Sequence, residues 1–378
     1  MNHSLLYWPY SHLLRPILFG FDPEGVHNAF TNIGHLLGKS PFTRGLTRSI
    51  FTYNHPILTQ TVAGLTFKNP VGLAAGFDYD AKMTGIIPSV GFAFETAGTV
   101  THHPYAGNPK PRLARLPRTR SLLVNKGFKS AGVQTILDRY LKKPNPDFIL
   151  GLSIGATNSP LTSTPKTQIP DIIQAFKVVK AHPKYPLIDY LELNISCPNV
   201  LGAGTLATPA HLSQILTQID KLHLSKPLWV KFPIHVNDKD AVNLVNIMVK
   251  HGVTAVVIGN LYKLRDPKAF DSQDFQKIKD LKGNFSGKPT EPLSNHLISL
   301  IYHHFGSKIV IVGVGGIFTP QDAYEKIRRG ASLVQLITGM VYEGPQLIGD
   351  INRGLVKLLN RAGHTNIKEA IGTIEDKS

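Results

Sequence analysis

The stretch "IVIVGVGGIFTPQDAYEKIRRGASLVQLI" (309–337) contains the structural unit on which the interpretation of the fold rests. It begins with a β-branched apolar run (309–313), turns at glycines, continues through an amphipathic segment (Pro320–Arg329) and returns to an apolar run (333–337). Short apolar runs on both sides of a helical segment are typical of parallel strands whose faces are both buried. We therefore predict a strand, a helix and a second, parallel strand.

The same alternation extends back to about residue 64. The candidate strands are "VGLAA" (71–75), "FAFET" (92–96), "FILGLSI" (148–154), "YLELNI" (190–195), "LWVKF" (228–232), "AVVIG" (255–259), "IVIVG" (309–313) and "LVQLI" (333–337). Helical segments between them include Ile169–His182, Pro209–Leu222 and Asp238–His251. Strands that alternate with helices in this way predict an α/β fold, a (β/α)8 TIM barrel. The alternative is a doubly wound open sheet, but no GxGxxG turn follows the first strand.

The chain is expected to have three parts. Residues 1–55 are predicted to form a small helical extension, in which Asp22 is an N-cap, Pro23 begins a helix and Gly38 ends it. Residues 56–362 form the barrel, and 363–378 a polar C-terminal tail. The apolar faces of the extension either pack on the barrel or contact lipid. Two long insertions, 97–125 and 260–292, are predicted as loops at the end of the barrel where sites form.

Composition narrows the classes of partner. The net charge of +16 over 378 residues favours anionic partners such as phosphorylated cofactors, carboxylates, acidic lipids or nucleic acid. A basic RNA- or membrane-binding protein without catalysis is a possible alternative. It rests on charge alone, since no aromatic-rich recognition motif is present, and we expect no nucleic-acid partner. We recognise no signal peptide in the N-terminal segment and no apolar run of about 20 residues.

Glycines follow the two last candidate strands, in "GVGGI" (313–317) and "ITGM" (337–340). In barrels, the loops after strands seven and eight commonly bind phosphate, because glycines let backbone N–H groups approach its oxygens. Lys231, at the end of the fifth strand, needs an anion or an electron-rich ring to offset its burial. Small residues in "GLAAGFD" (72–78) leave room for a flat ring. The sequence therefore predicts a phosphorylated, ring-containing cofactor.

The only cysteine, Cys197, lies in "LELNISCPNV" (191–200), between two asparagines. A lone cysteine is more often a buried spectator than a catalyst. However, asparagines also follow other strands (Asn125 and Asn260), and several carboxamides together can bind the imide edge of a heterocycle. The histidine pairs at 102–103 and 303–304 lack the spacing of metal ligands, so no metal site is expected.

Several motifs resemble those of dihydroorotate dehydrogenases and occur in the same order. They are "LTFKNPVGLAAGFD" (65–78), "GTVT" (98–101), "GNPKPRLARL" (107–116), "VNKGF" (124–128), "NISCPNV" (194–200), "SGKP" (286–289), "VGVGGI" (312–317) and "GASLVQLITG" (330–339). The segment "FGFDPEGVHNAF" (19–30) is similar to the helical extension of the membrane-associated, quinone-using class.

The resemblance implies a flavoprotein that oxidises dihydroorotate to orotate in pyrimidine biosynthesis. Hydride would pass from C6 to FMN, the proton from C5 to Cys197, and electrons to a membrane quinone. The protein would be peripheral, on the cytoplasmic face of a bacterial-type inner membrane. By resemblance, FMN would contact Ala74, Ala75, Gly76, Thr99, Ser153, Asn194, Lys231, Gly259, Gly287, Gly315, Gly316, Ile337, Thr338 and Gly339. The substrate would contact Asn125, Asn194, Asn199, Asn260 and Tyr79, and the quinone His27 and Arg115.

The chain also departs from the family pattern. Tyr79 occupies the place of a lysine that helps to bind the substrate, and Ser153 that of an asparagine. Gly259 and Leu261 replace threonines, and the base position carries cysteine where quinone-class enzymes have serine. We expect Lys231 or the flavin to lower the pKa of Cys197. Lys126 or Lys129 could replace the missing lysine. A related FMN barrel with another substrate or electron acceptor is the alternative.

Overall fold

The computed structural model describes residues 6–374. Its strands are, in chain order, β1 (Gln60–Val62), β2 (Leu65–Phe67), β3 (Val71–Leu73), β4 (Phe94–Val100), β5 (Leu113–Leu116), β6 (Ser121–Val124), β7 (Ile149–Ile154), β8 (Tyr190–Asn194), β9 (Leu228–Phe232), β10 (Ala255–Ile258), β11 (Asn284–Gly287), β12 (Val310–Val314) and β13 (Leu333–Leu336). Its helices are α1 (Tyr7–Pro9), α2 (Arg15–Phe19), α3 (Pro23–Leu37), α4 (Pro41–Phe51), α5 (Ile87–Val90), α6 (Val133–Arg139), α7 (Pro165–Ala181), α8 (Pro209–Asp220), α9 (Asp238–Lys250), α10 (Ser272–Ile278), α11 (Glu291–Phe305), α12 (Pro320–Arg328), α13 (Thr338–Glu343) and α14 (Leu347–Arg361).

Eight parallel strands close into a barrel in the order β3, β4, β7, β8, β9, β10, β12, β13. Each of them overlaps one strand predicted from the sequence, so the barrel prediction is confirmed and the open sheet is excluded. The outer faces of the strands pack against the helices, and both faces are therefore buried, as parallel strands require.

Large aromatic side chains fill the inside of the barrel. Tyr190 and Trp229 stack with their ring centroids 3.7 Å apart, and Phe94 packs edge-on against Trp229. The β1–β2 hairpin adds Phe67 against Phe94, at 5.2 Å between centroids. Because these aromatic rings occupy the barrel below the carboxyl ends of the strands, a ligand can enter only from the carboxyl end.

The two long insertions are more ordered than the sequence indicated. Residues 97–100, predicted as loop, continue β4. The two insertions also contribute β5, β6 and β11 to one antiparallel sheet, and the second insertion contains α10. In this sheet Ser121 lies opposite Gly287, although these residues come from different insertions. The prediction of plain loops was wrong, because a pairing between segments about 160 residues apart leaves no local sequence signal.

The N-terminal extension is helical, as predicted. Helix α3 begins at Pro23, where the Asp22 side chain accepts a hydrogen bond from the Gly25 N–H at 2.7 Å. Tyr10 and Arg15 donate to the carbonyls of Val341 and Tyr342, each at 2.7 Å, and thereby fix the extension to α13. Among residues 6–374, no helix is long and apolar enough to cross a membrane.

The C-terminal segment, predicted as a polar tail over 363–378, packs on the barrel as far as it is described. A short 3-10 turn, Ile367–Ala370, buries both of its terminal side chains. The ends of the predicted extension (1–5) and of the predicted tail (375–378) lie outside the described residues.

Candidate active site

A cavity of about 440 Å³ lies over the carboxyl ends of the barrel strands and continues beneath the N-terminal helices. Asn194, the last residue of β8, and Lys231, the penultimate residue of β9, line its barrel end, and Phe30 and Leu37 of α3 line its other end. The wall is largely apolar, and the carboxamides of Asn194, Asn199 and Asn260 lie on its barrel side. One space therefore connects the predicted substrate residues with the predicted quinone residues.

A second cavity, of about 90 Å³, lies beside the first and shares part of its wall, including Ala75, Lys231 and Ile337. Gly315, Gly316 and Gly339 form its far side. Gly315 and Gly316 have φ values of +106° and +75°, which side-chain-bearing residues rarely adopt. A Cβ at Gly339 would overlap the Ile317 carbonyl oxygen. The bare backbone of these glycines leaves N–H groups accessible, which fits a phosphate.

A chain of hydrogen bonds fixes the carboxamides at the barrel mouth. Asn194 Nδ2 donates to Thr99 Oγ1 at 2.8 Å, and Asn194 Oδ1 accepts from the Ser196 hydroxyl at 3.0 Å. Asn260 Nδ2 donates to the same Ser196 hydroxyl at 2.7 Å. Ser153 is fully buried behind this chain and bonds Thr99 at 2.9 Å. Ser153 therefore positions Thr99 and does not itself line either cavity.

Asn199 is held on three sides. Its Nδ2 donates to the Val124 carbonyl at 2.9 Å, and its Oδ1 accepts from Asn284 Nδ2 at 2.5 Å. Asn108 Nδ2 donates both to the Asn199 carbonyl and to Asn125 Oδ1, each at 2.9 Å. Asn199 lines the main cavity, whereas Asn125 does not. Sequence reasoning missed Asn108 and Asn284 as the residues that orient this group, although Asn108 lies within the "GNPKPRLARL" motif.

Lys231 lies between Asn194 of β8 and Val257 of β10 in the barrel register and is buried. Within residues 6–374 its ammonium has no ion pair or hydrogen bond. Since Lys231 borders both cavities, its charge is available to a ligand that spans them. A buried ammonium without a partner costs free energy, which a bound anion or electron-rich ring would offset.

Cys197 lines the main cavity just beyond β8. Burial raises the pKa of its thiol to about 11, although the Asn199 N–H and the charge of Lys231 act in the opposite direction. Lys231 acts in the predicted direction, but the pKa of the thiol is raised overall in the protein without ligands, because the desolvation of a thiolate in this cavity outweighs the charge of the lysine. The thiol is therefore protonated at neutral pH. The effect of the flavin stays a prediction.

Tyr79 is fixed where the barrel meets the extension. Its ring stacks on His27 at 5.5 Å between centroids, and its hydroxyl donates to Asn28 Oδ1 at 3.2 Å. The ammonium of Lys126 lies 4.6 Å from the centre of the Tyr79 ring, and that of Lys129 5.6 Å. Tyr79 and both lysines line the main cavity.

The two residues predicted at the quinone site line the apolar part of the cavity. His27 Nε2 bonds the Phe77 carbonyl at 2.8 Å, and burial lowers the pKa of its ring to about 4, so the ring is neutral at pH 7. Its buried Nδ1 has no partner among residues 6–374. Arg115 donates to the Phe21 carbonyl at 2.8 Å and lies over the Phe19 ring.

The structure thus brings the predicted residues to two adjoining cavities. Ser153 and Asn125 are the exceptions: Ser153 bonds the wall residue Thr99, and Asn125 is connected to the wall residue Asn199 through Asn108. Ser286, which sequence reasoning missed, borders both cavities and bonds Thr338 at 2.7 Å. Its position beside Gly287 in the "SGKP" motif is the signal that could have identified it.

Comparison with known proteins gives a consistent result. The family model described as dihydroorotate dehydrogenase matches residues 57–359. The chain belongs to the dihydroorotate dehydrogenase family. A dihydroorotate dehydrogenase (quinone) of Roseiflexus sp. is 32% identical over 96% of this chain and 98% of its own length. That of Christiangramia forsetii is 34% identical over 92% of this chain and 99% of its own.

Solved structures of the family agree. Dihydroorotate dehydrogenase from Eimeria tenella, crystallised in complex with ferulenol, is 28% identical in sequence and superposes with a TM-score of 0.80. The match spans 93% of this chain and 95% of the Eimeria chain. The ligand-free form of that enzyme gives the same TM-score. The family and fold indicated by the motifs are confirmed, and the protein is an oxidoreductase of a flavin-dependent family. The assignments of individual residues stay predictions.

Proposed function

We propose that this dihydroorotate dehydrogenase oxidises dihydroorotate to orotate for pyrimidine biosynthesis with FMN as its cofactor, and passes the electrons to a membrane quinone. One observation carries the proposal: two adjoining cavities with a shared wall lead from the glycine-lined recess, past Cys197, to the apolar helices of the extension. Such a space can hold a flavin, a small polar substrate and an apolar electron acceptor in sequence. The names of the relatives support the same reaction.

The residues of the second cavity fit the phosphate end of FMN. Backbone N–H groups of Gly315, Gly316 and Gly339 would hold the phosphate, and Lys231 would contact the ring system. Ala74, Gly259 and Gly287 on the same wall leave space for a flat ring. When bound, the flavin supplies the hydride acceptor of the reaction.

The polar end of the main cavity fits the pyrimidine. Asn194 and Asn260 are oriented through Ser196, and Asn199 through Asn284, so their amides are fixed before the substrate arrives. Cys197 lies among them and would accept the proton from C5. Because burial keeps its pKa at about 11, proton transfer must be assisted by the bound substrate and cofactor.

The extension is the proposed membrane contact. All but three of the large apolar side chains that are exposed in residues 6–374 lie between positions 6 and 50; the others are Leu161, Leu201 and Leu264. Phe30, Ile33 and Leu37 belong to this exposed group and also line the main cavity. The cavity therefore opens on an apolar surface, where a lipid-dissolved quinone could enter without crossing water.

The first test is reduction of the flavin by its substrate. The purified protein should show the visible absorption of an oxidised flavin, and dihydroorotate added without oxygen should bleach it. Dihydrouracil, which lacks the carboxylate, serves as the matched control and should leave the band intact. A yellow protein that dihydroorotate does not reduce would refute the proposed substrate.

A further inference from the structure

We propose that Lys126 is the residue that binds the carboxylate of the substrate in this chain, and that Tyr79 holds the lysine in place. The inference rests on the proposed substrate, an anion, and extends the proposed function to a residue that family membership does not assign.

Lys126 is a buried cation. Only 9% of the residue is exposed, and it lines the main cavity. Burial lowers the pKa of its amine to about 8, so the amine is still mostly charged at pH 7. Taking an ammonium out of water is unfavourable unless an anion compensates it. The cavity wall therefore contains a charge that needs a partner.

No carboxylate of residues 6–374 forms an ion pair or hydrogen bond with Lys126. Glu24, the carboxylate whose charge acts most strongly on Lys126, is already bound to Arg112 at 3.1 Å and to Lys129 at 3.4 Å. The only described contact of the Lys126 ammonium is the face of the Tyr79 ring. A cation–π contact of this kind orients an ammonium but does not neutralise it.

Tyr79 gives that contact a fixed geometry. His27 stacks against its ring with 15° between the planes, and Asn28 accepts its hydroxyl hydrogen. Because the ring is held from the side of the extension, Lys126 lies between a rigid platform and the open cavity. A tyrosine cannot itself supply a positive charge, because a phenol is either neutral or negative; here burial raises its pKa to about 12 and keeps it neutral.

The backbone places Lys126 beside the proposed pyrimidine site. The Val124 carbonyl, two residues earlier, accepts from Asn199, and the Lys126 carbonyl accepts from the Asn108 N–H at 3.2 Å. The other buried lysine of the cavity, Lys231, borders both cavities, whereas Lys126 borders only the larger one. The two cations are thus separated by position: Lys231 is available to the cofactor and Lys126 to the substrate.

The test measures the binding of orotate to the flavin-loaded enzyme, and the change in the flavin spectrum reports how much orotate is bound. Lys126→Met should weaken orotate roughly ten- to 150-fold, the range expected for one charge-assisted hydrogen bond. Lys126→Arg keeps the charge and should stay within about fivefold of the parent. Lys129→Met, which removes a lysine already paired with Glu24, should weaken orotate less than Lys126→Met. Lys110→Met, exposed on the same insertion, should have no effect.

Two results would overturn the inference: unchanged orotate affinity in Lys126→Met, or an equal loss in Lys126→Met and Lys126→Arg.

If the methionine variant does not fold, the unmodified holoenzyme provides the test. Its affinity for orotate should fall about tenfold per pH unit above pH 8, and a flat profile to pH 10 would contradict us. The charged and titratable groups that surround Lys126 are Glu24, Asp80, Arg112, Lys129, Tyr79 and His27. Tyr79 and His27 stay neutral over this range, because burial raises the pKa of the phenol to about 12 and lowers that of the imidazole to about 4. Failure of dihydroorotate to reduce the flavin is a separate result, which would refute the proposed function as well.

Discussion

Replacing Cys197 by alanine tests the proposed proton transfer directly. With a pKa of about 11, roughly one thiol in ten thousand is ionised at pH 7. If the thiolate accepts the C5 proton, and the bound flavin and substrate leave the pKa of the thiol above 9, the rate constant for flavin reduction at saturating dihydroorotate should rise about tenfold per pH unit between pH 6 and pH 9. Removing a general base typically slows a reaction by about 10²- to 10⁴-fold, and Cys197→Ala should show a loss of this size.

The assay is anaerobic stopped-flow mixing of the oxidised enzyme with dihydroorotate, which isolates the reductive half of the cycle. Cys197→Ser is the matched control, because it keeps the size of the side chain and an ionisable hydrogen. It should retain measurable reduction with a pH profile displaced to higher pH, since a hydroxyl is a weaker acid than a thiol. Both variants should keep their flavin, because Cys197 does not line the glycine-rich cavity.

The proposed proton transfer to Cys197 fails if the rate of flavin reduction in the parent enzyme is independent of pH between 6 and 9, since that profile requires a base with a much lower pKa. It fails equally if Cys197→Ala reduces its flavin at the parental rate. Either result would make the cysteine a spectator and direct attention to another proton acceptor on the cavity wall.

Three further predictions concern the ion pair, the cofactor and the membrane. Glu24→Gln should destabilise the fold by about 3 kcal/mol at pH 7, since it leaves Arg112 and Lys129 unpaired; Asp147→Asn, in an exposed pair, should cost under about 1 kcal/mol. Burial acts to raise the pKa of Glu24, but its bond to Arg112 holds that pKa below the usual 4.5. The difference in melting temperature between the parent and Glu24→Gln should therefore be largest above pH 4.5, where Glu24 is ionised in both states, and should shrink as the pH falls below that value. Gly316→Ala should lower flavin occupancy, because the new Cβ would overlap Glu291, whereas Gly252→Ala, also at positive φ but in open space, should not. The double variant Ile17→Glu with Phe42→Glu changes residues that are 61% and 78% exposed, and it should weaken vesicle binding and turnover with long-chain quinone at least tenfold while turnover with a soluble dye is unchanged. Leu161→Glu, at a residue 84% exposed on the barrel, is the control. An equal loss of turnover with both acceptors would contradict the membrane proposal.

The barrel was predictable from the sequence because each of its strands is a local signal. Runs such as "LWVKF" and "AVVIG" are apolar on both faces, and helix α3 carries both a capping aspartate and a proline at its first position. The site residues at strand ends, such as Asn194 and Lys231, followed from the same strands. The predicted ends of elements were less accurate. Helix α7 begins at Pro165, four residues before the predicted Ile169, and Thr164 is its N-cap.

The residues that sequence reasoning missed depend on non-local pairing. Asn284 reaches Asn199 only because β11 pairs with β6, and neither insertion shows a strand pattern strong enough to predict that sheet. The protonation of Cys197 could not be predicted either. Its sequence neighbours are polar, and the desolvation that raises its pKa arises when the cavity is enclosed by distant parts of the chain.

The same enclosure shifts the two proposed substrate groups towards their neutral forms, and this links substrate binding to proton transfer. Burial raises the pKa of the Cys197 thiol and lowers that of the Lys126 amine. A substrate that brought a carboxylate into this cavity without a cation would make a thiolate still less favourable, because two negative charges would share a poorly hydrated space. A lysine that stays charged on the substrate's carboxylate removes this repulsion. On this proposal, the charge of Lys126 would serve affinity first and, through it, the ability of Cys197 to lose its proton.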